Sequence, residues 1–285
     1  MNNFVKRSIS GVGFAVIMLA AFLTNKFIFG AVMLFALIVM MHEFLKMTCG
    51  SNYKYSQILS ILSGVILFSL VFLYRGFDFP GRLVVLAFIP VFILMINSLY
   101  VKDKSRFDKF ANLYTAILYI AVPWSMLNFA VFSPDCVFNG KLLLCFFCII
   151  WGSDVGAYCF GMALGQKFGK KLFPSISPKK SWVGFWGGMV TAVAVSIILY
   201  YAGIFPLNAG KQIFNLINCI AIAVLLDVAG VYGDLIESQW KRHYEVKDSG
   251  TLIPGHGGLL DRFDSALIAI PIGIIYLVTM DALAL

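Results

Sequence analysis

Apolar runs alternate with short polar connections along the whole chain, at 9–24, 27–45, 56–74, 83–99, 111–132, 142–164, 182–204, 213–240 and 263–283. Most are long enough, at about 1.5 Å per helical residue, to cross a hydrocarbon layer roughly 30 Å thick. The first is short or tilted. The pattern predicts an all-α polytopic membrane protein with about nine transmembrane helices. Lys6 and Arg7 stand ahead of the first run as in a secretion signal. The Leu-Thr-Asn-Lys that follows offers no small-residue cleavage site, so the run is read as the first helix. No repeat of 20–50 residues and no low-complexity tract breaks the alternation.

Composition agrees. Of 285 residues 60% are hydrophobic, 27 are phenylalanine and only 13% are charged, more apolar surface than a soluble domain of this size can hide. A net charge of +8 would suit nucleic acid, but the basic residues sit in short segments between apolar runs, which is a membrane-orientation pattern instead. No nucleic-acid partner is expected. Lys26, Arg75, Arg82, Lys141 and Lys211 fall on one side of the predicted membrane, and the other 17 of the 22 lysines and arginines fall on the opposite side. That bias predicts a cytoplasmic N-terminus and turns the connections at 165–188 and 233–264 towards the cytoplasm. Cys145 and Cys148 form a C-x-x-C inside an apolar run with no second ligand pair, so they are read as packing residues.

Polar chemistry concentrates in 233–264, which holds Asp234, Glu237, Glu245, Asp248, Asp261 and Asp264. Helical spacing puts Asp234, Ser238 and Lys241 on one face with Glu237 beside them. After Arg242 the period stops, and Gly250, Pro254, Gly255, Gly257 and Gly258 mark a loop whose backbone can approach a ligand. Carboxylates framing a Gly-rich, Lys/Arg-studded loop suit a metal-bound polyphosphate: hard oxygens for the cation, amides and cations for the phosphates. A second polar island, 165–188, contains Ser177-Pro178-Lys179-Lys180-Ser181-Trp182. There Pro178 is expected to fix a turn and Ser181 to cap the next helix, leaving its first amides and Lys179 and Lys180 for a phosphate. Lys170 and Lys171 read as a juxtamembrane basic pair, and Trp182 and Trp186 as interfacial aromatics.

Acids inside apolar runs carry information too, because a charge in hydrocarbon costs at least about 2.5–3.5 kcal/mol. Asp154 and Asp227 therefore mark either a polar cavity or a structural pairing. Glu43, beside His42 at the end of the second run, reads as an interfacial helix-end acid, with a cavity-lining role as the other reading. His243 reads as a helix-end residue, and His42 is left unassigned. Two regions follow: N-terminal transmembrane helices at 1–140 and a C-terminal catalytic transmembrane region at 141–285 with a cytoplasm-facing polar cavity.

The string from Ser238 through Lys241-Arg242, Lys247-Asp248, Gly250 and Leu252-Ile253-Pro254-Gly255-His256-Gly257-Gly258 to Asp261-Arg262-Phe263-Asp264 resembles the signature of CDP-diacylglycerol synthases, also called phosphatidate cytidylyltransferases. The resemblance extends through 151–161 and 175–188. Trp240 stands where the family usually has an aliphatic residue or Phe, Val155 where it has Thr and Val183 where it has Glu. What the resemblance implies is an integral enzyme of the cytoplasmic (inner) membrane that joins CTP and phosphatidic acid into CDP-diacylglycerol and pyrophosphate, as a homodimer. It implies Asp234 and Asp261 as carboxylates of a Mg²⁺ centre, with a second cation such as K⁺. It also implies Lys241, Arg242, Lys247 and Arg262 as phosphate clamps, and Gly257 and Gly258 as a turn that offers amides. Ser177, Lys179, Lys180 and Ser238 would approach the substrates, and Asp248 and Asp264 would hold the clamping cations. His256 would act as a hydrogen-bond donor in the loop or as a general acid to the leaving pyrophosphate.

Rival functions make different demands. A CTP-dependent lipid kinase would move the γ-phosphoryl group to an alcohol and release CDP. An ion-coupled transporter would use deep acids but leave the loop without a role, and repeats are not evident. A CDP-alcohol phosphotransferase should carry a D-x₂-D-G-x₂-A-R helix, which is absent from this sequence.

Overall fold

A computed structural model of the chain describes residues 3–101, 107–165, 170–205, 215–253, 255, 257–280 and 283. Helix α1 (Asn3–Leu23), α2 (Lys26–Cys49) and α3 (Lys54–Phe77) follow one another. A 3-10 segment (Gly81–Ala87) leads into α4 (Phe88–Asn97); α5 (Ala111–Ala116), a π-helical turn (Ile117–Ala121) and α6 (Val122–Val131) then form one run. Helix α7 (Lys141–Phe160) ends in a second π-helical turn (Gly161–Gly165), followed by β1 (Lys171–Phe173) and β2 (Ser177–Ser181). Helices α8 (Trp182–Tyr201), α9 (Leu216–His243) and α10 (Leu260–Thr279) complete the chain. Among the described residues eight helical stretches are long and apolar enough to cross a membrane, and Ser10–Leu23 adds a shorter apolar one. Every apolar run of the sequence therefore coincides with helix, and the fold is an all-α polytopic membrane protein with one small hairpin.

The helix ends follow local chemistry. Asn25 caps α2 by accepting hydrogen bonds from the Phe27 and Ile28 amides, both at 3.0 Å. Gly50, at φ 59°, terminates the same helix and returns its N–H to the Lys46 carbonyl. Ser181 caps α8, its Oγ accepting from the Gly184 amide at 3.2 Å, as the sequence predicts. Pro178 does not make a turn: it lies within β2, and the turn falls at 174–176. A two-stranded ribbon (Lys171 opposite Ser181, Phe173 opposite Ser177) leaves each strand an unpaired edge, where a missing N–H costs no ladder bond.

The chain forms two compact units, one of Met1–Asn128, Asp135–Phe138 and Tyr244–Arg262, the other of Phe129–Pro134, Asn139–His243 and Phe263–Leu285. The first is packed around Phe29, Met33, Leu37 and Phe44, with Trp124 donating its indole N–H to the Met33 carbonyl at 2.8 Å. Its α4 presents Phe88, Ile89, Phe92 and Ile96 outward, a face suited to lipid. In the second unit α7 and α8 approach through small residues. Side chains at Gly156 or Gly187 would overlap Thr191 or Phe160.

Candidate functional site

The polar residues of the second unit gather on α9. One turn apart, Ser238 donates to Asp234 Oδ1 at 3.1 Å and Lys241 donates to Glu237 Oε2 at 2.5 Å. The Asp234 Oδ2 atom pairs with Lys180 Nζ at 2.7 Å. Alternation along β2 separates the two lysines: Lys180 is half-buried on the Asp234 side and Lys179 is exposed. Ser177 is half-buried at the start of the strand, and Arg242 donates through Nε to the Ile176 carbonyl at 3.4 Å. Glu237 is fully buried, so Lys241 gives it the charge partner that a buried carboxylate requires.

Asp264, on the second turn of α10, has Asp234, Asp154 and Lys241 within electrostatic reach. Gly233 makes room for this: a Cβ there would come within 2.6 Å of the Asp264 carbonyl oxygen. Asp264 Oδ1 accepts from the Ser265 amide at 2.6 Å, and Asp264 forms no ion pair among the described residues. Deeper in the unit Asp227 is 1% exposed, accepts a very short hydrogen bond from Ser153 Oγ, and leaves Oδ2 without a hydrogen-bond partner among the described residues. Asp154 is exposed on α7, as is Val155.

In the first unit the loop 245–259 leads into α10. Asp261 Oδ2 accepts three hydrogen bonds from that loop: Ser249 N at 2.9 Å, Ser249 Oγ at 2.9 Å and Gly258 N at 2.8 Å. Gly257 sits at φ 84°, and a Cβ on it would stand 2.8 Å from Asp261 Oδ2, so both the turn and the carboxylate require glycine there. The Ile253 amide bonds to the Gly257 carbonyl at 3.0 Å and closes the loop tip. A pocket of about 440 Å³ opens beside it, lined by Lys247, Asp248, Gly257 and Arg262 among others. That is within the roughly 300–1,000 Å³ range of small-molecule sites. Lys247, Asp248 and Arg262 are exposed and form no ion pair among the described residues. Tyr244, at the root of the loop, is held by the Asn112 amide at 2.9 Å; burial pushes its phenol above the ordinary range, so it stays neutral at physiological pH. His256 lies outside the described residues.

Among the described residues no three of His, Cys, Asp and Glu come close enough to encage a metal ion. The donors present nevertheless fit Mg²⁺, which keeps several waters and takes one or two carboxylates together with substrate phosphates. Asp234 already draws a cationic ammonium onto Oδ2. The cysteines at 145 and 148 are unpaired, Cys145 fully buried, in keeping with packing.

Glu43, read from the sequence as a helix-end acid, lies near the end of α2 and has a specific partner there. It is 6% exposed and accepts a hydrogen bond from the Leu260 amide at 2.9 Å. Ser249 and the buried Glu237–Lys241 pair are the other contributions that sequence alone did not assign. An acid in an apolar run followed much later by an unpaired helix start was the only available signal for Glu43.

The model of a cytidylyltransferase family matches residues 5–280. A phosphatidate cytidylyltransferase of Bacillus subtilis (strain 168) is 36% identical over 187 residues, 65% of this chain and 65% of that protein. Proteins of the same name from Staphylococcus haemolyticus (strain JCSC1435) and Staphylococcus epidermidis (strain ATCC 12228 / FDA PCI 1200) are 34% and 33% identical, over 189 and 186 residues. These matches cover 66% and 64% of this chain and 67% and 64% of those proteins, so the chain spans about two thirds of the relatives it matches.

Proposed function

The chain belongs to the cytidylyltransferase family, and from that premise we propose that it transfers CMP from CTP to phosphatidic acid, giving CDP-diacylglycerol and pyrophosphate. The observation that carries this reading is the loop pocket, where Lys247 and Arg262 stand exposed beside glycine backbone at the start of α10, next to a carboxylate fixed by loop donors. The names of the relatives supply the lipid and the nucleotide.

A phosphatidate oxygen attacks the α-phosphorus of CTP, a new P–O bond forms, and the bond to the β-phosphate bridging oxygen breaks as pyrophosphate leaves. By analogy with phosphoserine the attacking monoester has a second pKa of about 6 and is largely dianionic near neutrality, so no proton has to be removed. The protein's task is to bring two anions together and hold the charge of the leaving group. Lys247 and Arg262 bind phosphates at the loop, with Gly257 and Gly258 allowing close backbone approach and Asp248 orienting the cations. Lys241 and Arg242, with Lys180, Lys179, Ser177 and Ser238, serve the substrates from the helices and hairpin. Asp234 and Asp261 would supply carboxylates to Mg²⁺, with Asp264 within electrostatic reach of Asp234. Bound there, Mg²⁺ supplies charge neutralisation for the phosphate oxygens. The buried Asp227 and the exposed Asp154 would be the further acids available to a second cation such as K⁺. A cytoplasmic N-terminus, a cytoplasm-facing site in the inner membrane and a homodimer belong to the same proposal.

The test is purified protein in phosphatidate-containing micelles with CTP and Mg²⁺. CDP-diacylglycerol and pyrophosphate should appear in equal amounts, and ATP should not replace CTP. Release of CDP with a phosphorylated lipid alcohol, or equal rates with ATP, would overturn the assignment.

A further inference from the structure

We propose that Glu43 is a positioning residue for the phosphate loop, holding the turn into α10 so that the loop donors reach Asp261 and Arg262 faces the pocket. This rests on the functional reading above. Glu43 comes from α2, 217 residues before its partner, yet its buried Oε2 accepts the Leu260 amide at 2.9 Å. Leu260 is the first residue of α10, where the helix dipole favours a negative partner and the amides have no intrahelical acceptor. Two loop glycines lie against the same carboxylate. A Cβ on Gly258 would stand 2.7 Å from Oε2, and one on Gly250 would overlap Oε1.

These contacts interlock with those of Asp261. Gly258 lies against Glu43 and gives its amide to Asp261 Oδ2; Gly250 lies against Glu43 and follows Ser249, which gives Asp261 both N–H and Oγ–H. The loop strands that clasp Asp261 are thus the strands seated on Glu43. Asp261 and Glu43 are like charges within electrostatic reach, so the donors placed around them also keep two carboxylates tolerable in one small region. Glu43 need not touch substrate to matter: moving the loop by a fraction of an ångström changes where Arg262 and Asp261 present their charge.

The test combines hydrogen exchange of the 248–260 segment with the Mg²⁺ and CTP dependence of turnover in full-length protein. Glu43→Ala should speed exchange of the loop amides about tenfold, the loss of roughly one hydrogen bond to a charged group. It should also raise the Mg²⁺ needed for half-maximal activity several-fold. Glu43→Gln, which keeps an acceptor oxygen, should restore both to within about threefold. Gly250→Ala, which displaces Oε1, should reproduce the Glu43→Ala pattern, and the double variant should be no worse than Glu43→Ala alone. Wild-type loop exchange and wild-type Mg²⁺ dependence in folded Glu43→Ala, or additive effects in the double variant, would overturn the proposal. If Glu43→Ala does not fold, Gly250→Ala decides, and wild-type behaviour there overturns it. Failure of the wild-type protein to form CDP-diacylglycerol would strike the functional reading instead, since the exchange readout needs no turnover.

Discussion

On α9 the acids are met by side chains: Lys180 on Asp234, Lys241 on Glu237, Ser238 on Asp234 and Ser153 on Asp227. In the loop before α10 the acids are met largely by backbone, with amides of Ser249, Gly258 and Leu260 serving Asp261 and Glu43, while Lys247 and Arg262 form no ion pair among the described residues. The contrast has a chemical sense. Where backbone amides satisfy the carboxylates, the nearby cations stay available for phosphate. Where lysines satisfy them, the carboxylates hold cations already, and a divalent ion would compete with an ammonium for the same oxygen. One stretch of sequence thus contains an anion-receiving loop and a cation-holding helix.

The strongest way to break this contrast is to remove one acid of each kind. Asp234→Asn and Asp261→Asn should each lower turnover by about 10²–10³-fold, as for other charge-stabilising groups, while leaving the protein folded in detergent. Near-normal activity in either would end its metal assignment. Next in size, Lys180→Ala should cost about 10–100-fold, because it strips the charge partner from Asp234, whereas Lys179→Ala, from an exposed position, should cost under about fivefold. Steady-state rates of the two variants test the alternation of β2 directly, and equal losses would contradict it. Gly257→Ala should cost about 1–3 kcal/mol locally, from its positive φ and its approach to Asp261, and appear as a raised KM for CTP with little change in melting temperature. The smallest change is Ser238→Ala, which removes one hydrogen bond from Asp234 and should reduce turnover by roughly two- to tenfold.

The helices were legible because lipid imposes a simple pattern: a run must be apolar and must satisfy its own backbone, so run and helix coincide from α2 to α10. The face shared by Asp234, Ser238 and Lys241 was legible for a similar reason, since 3.6-residue periodicity is local. Ser181 at the start of α8 was equally local. The hairpin was not. Pro178 and its lysines look like a turn until Lys171–Phe173 is known to pair with them, and that pairing moves the turn to 174–176. Glu43 was hidden more deeply, because its partner is a backbone amide far along the chain and an amide leaves no mark on composition. The role of Asp248 and Asp264 in holding the clamping cations is what the family resemblance implies. Among the described residues neither forms an ion pair, and Asp264 has both Asp234 and Lys241 within electrostatic reach.

The most direct measurement is transfer of label from CTP carrying phosphorus-32 at either the α or the γ position, with phosphatidate and Mg²⁺. Label from the α position should enter the lipid fraction and label from the γ position should leave as pyrophosphate. Lipid labelled from the γ position, or from neither, would contradict cytidylyl transfer as the chemistry of this chain.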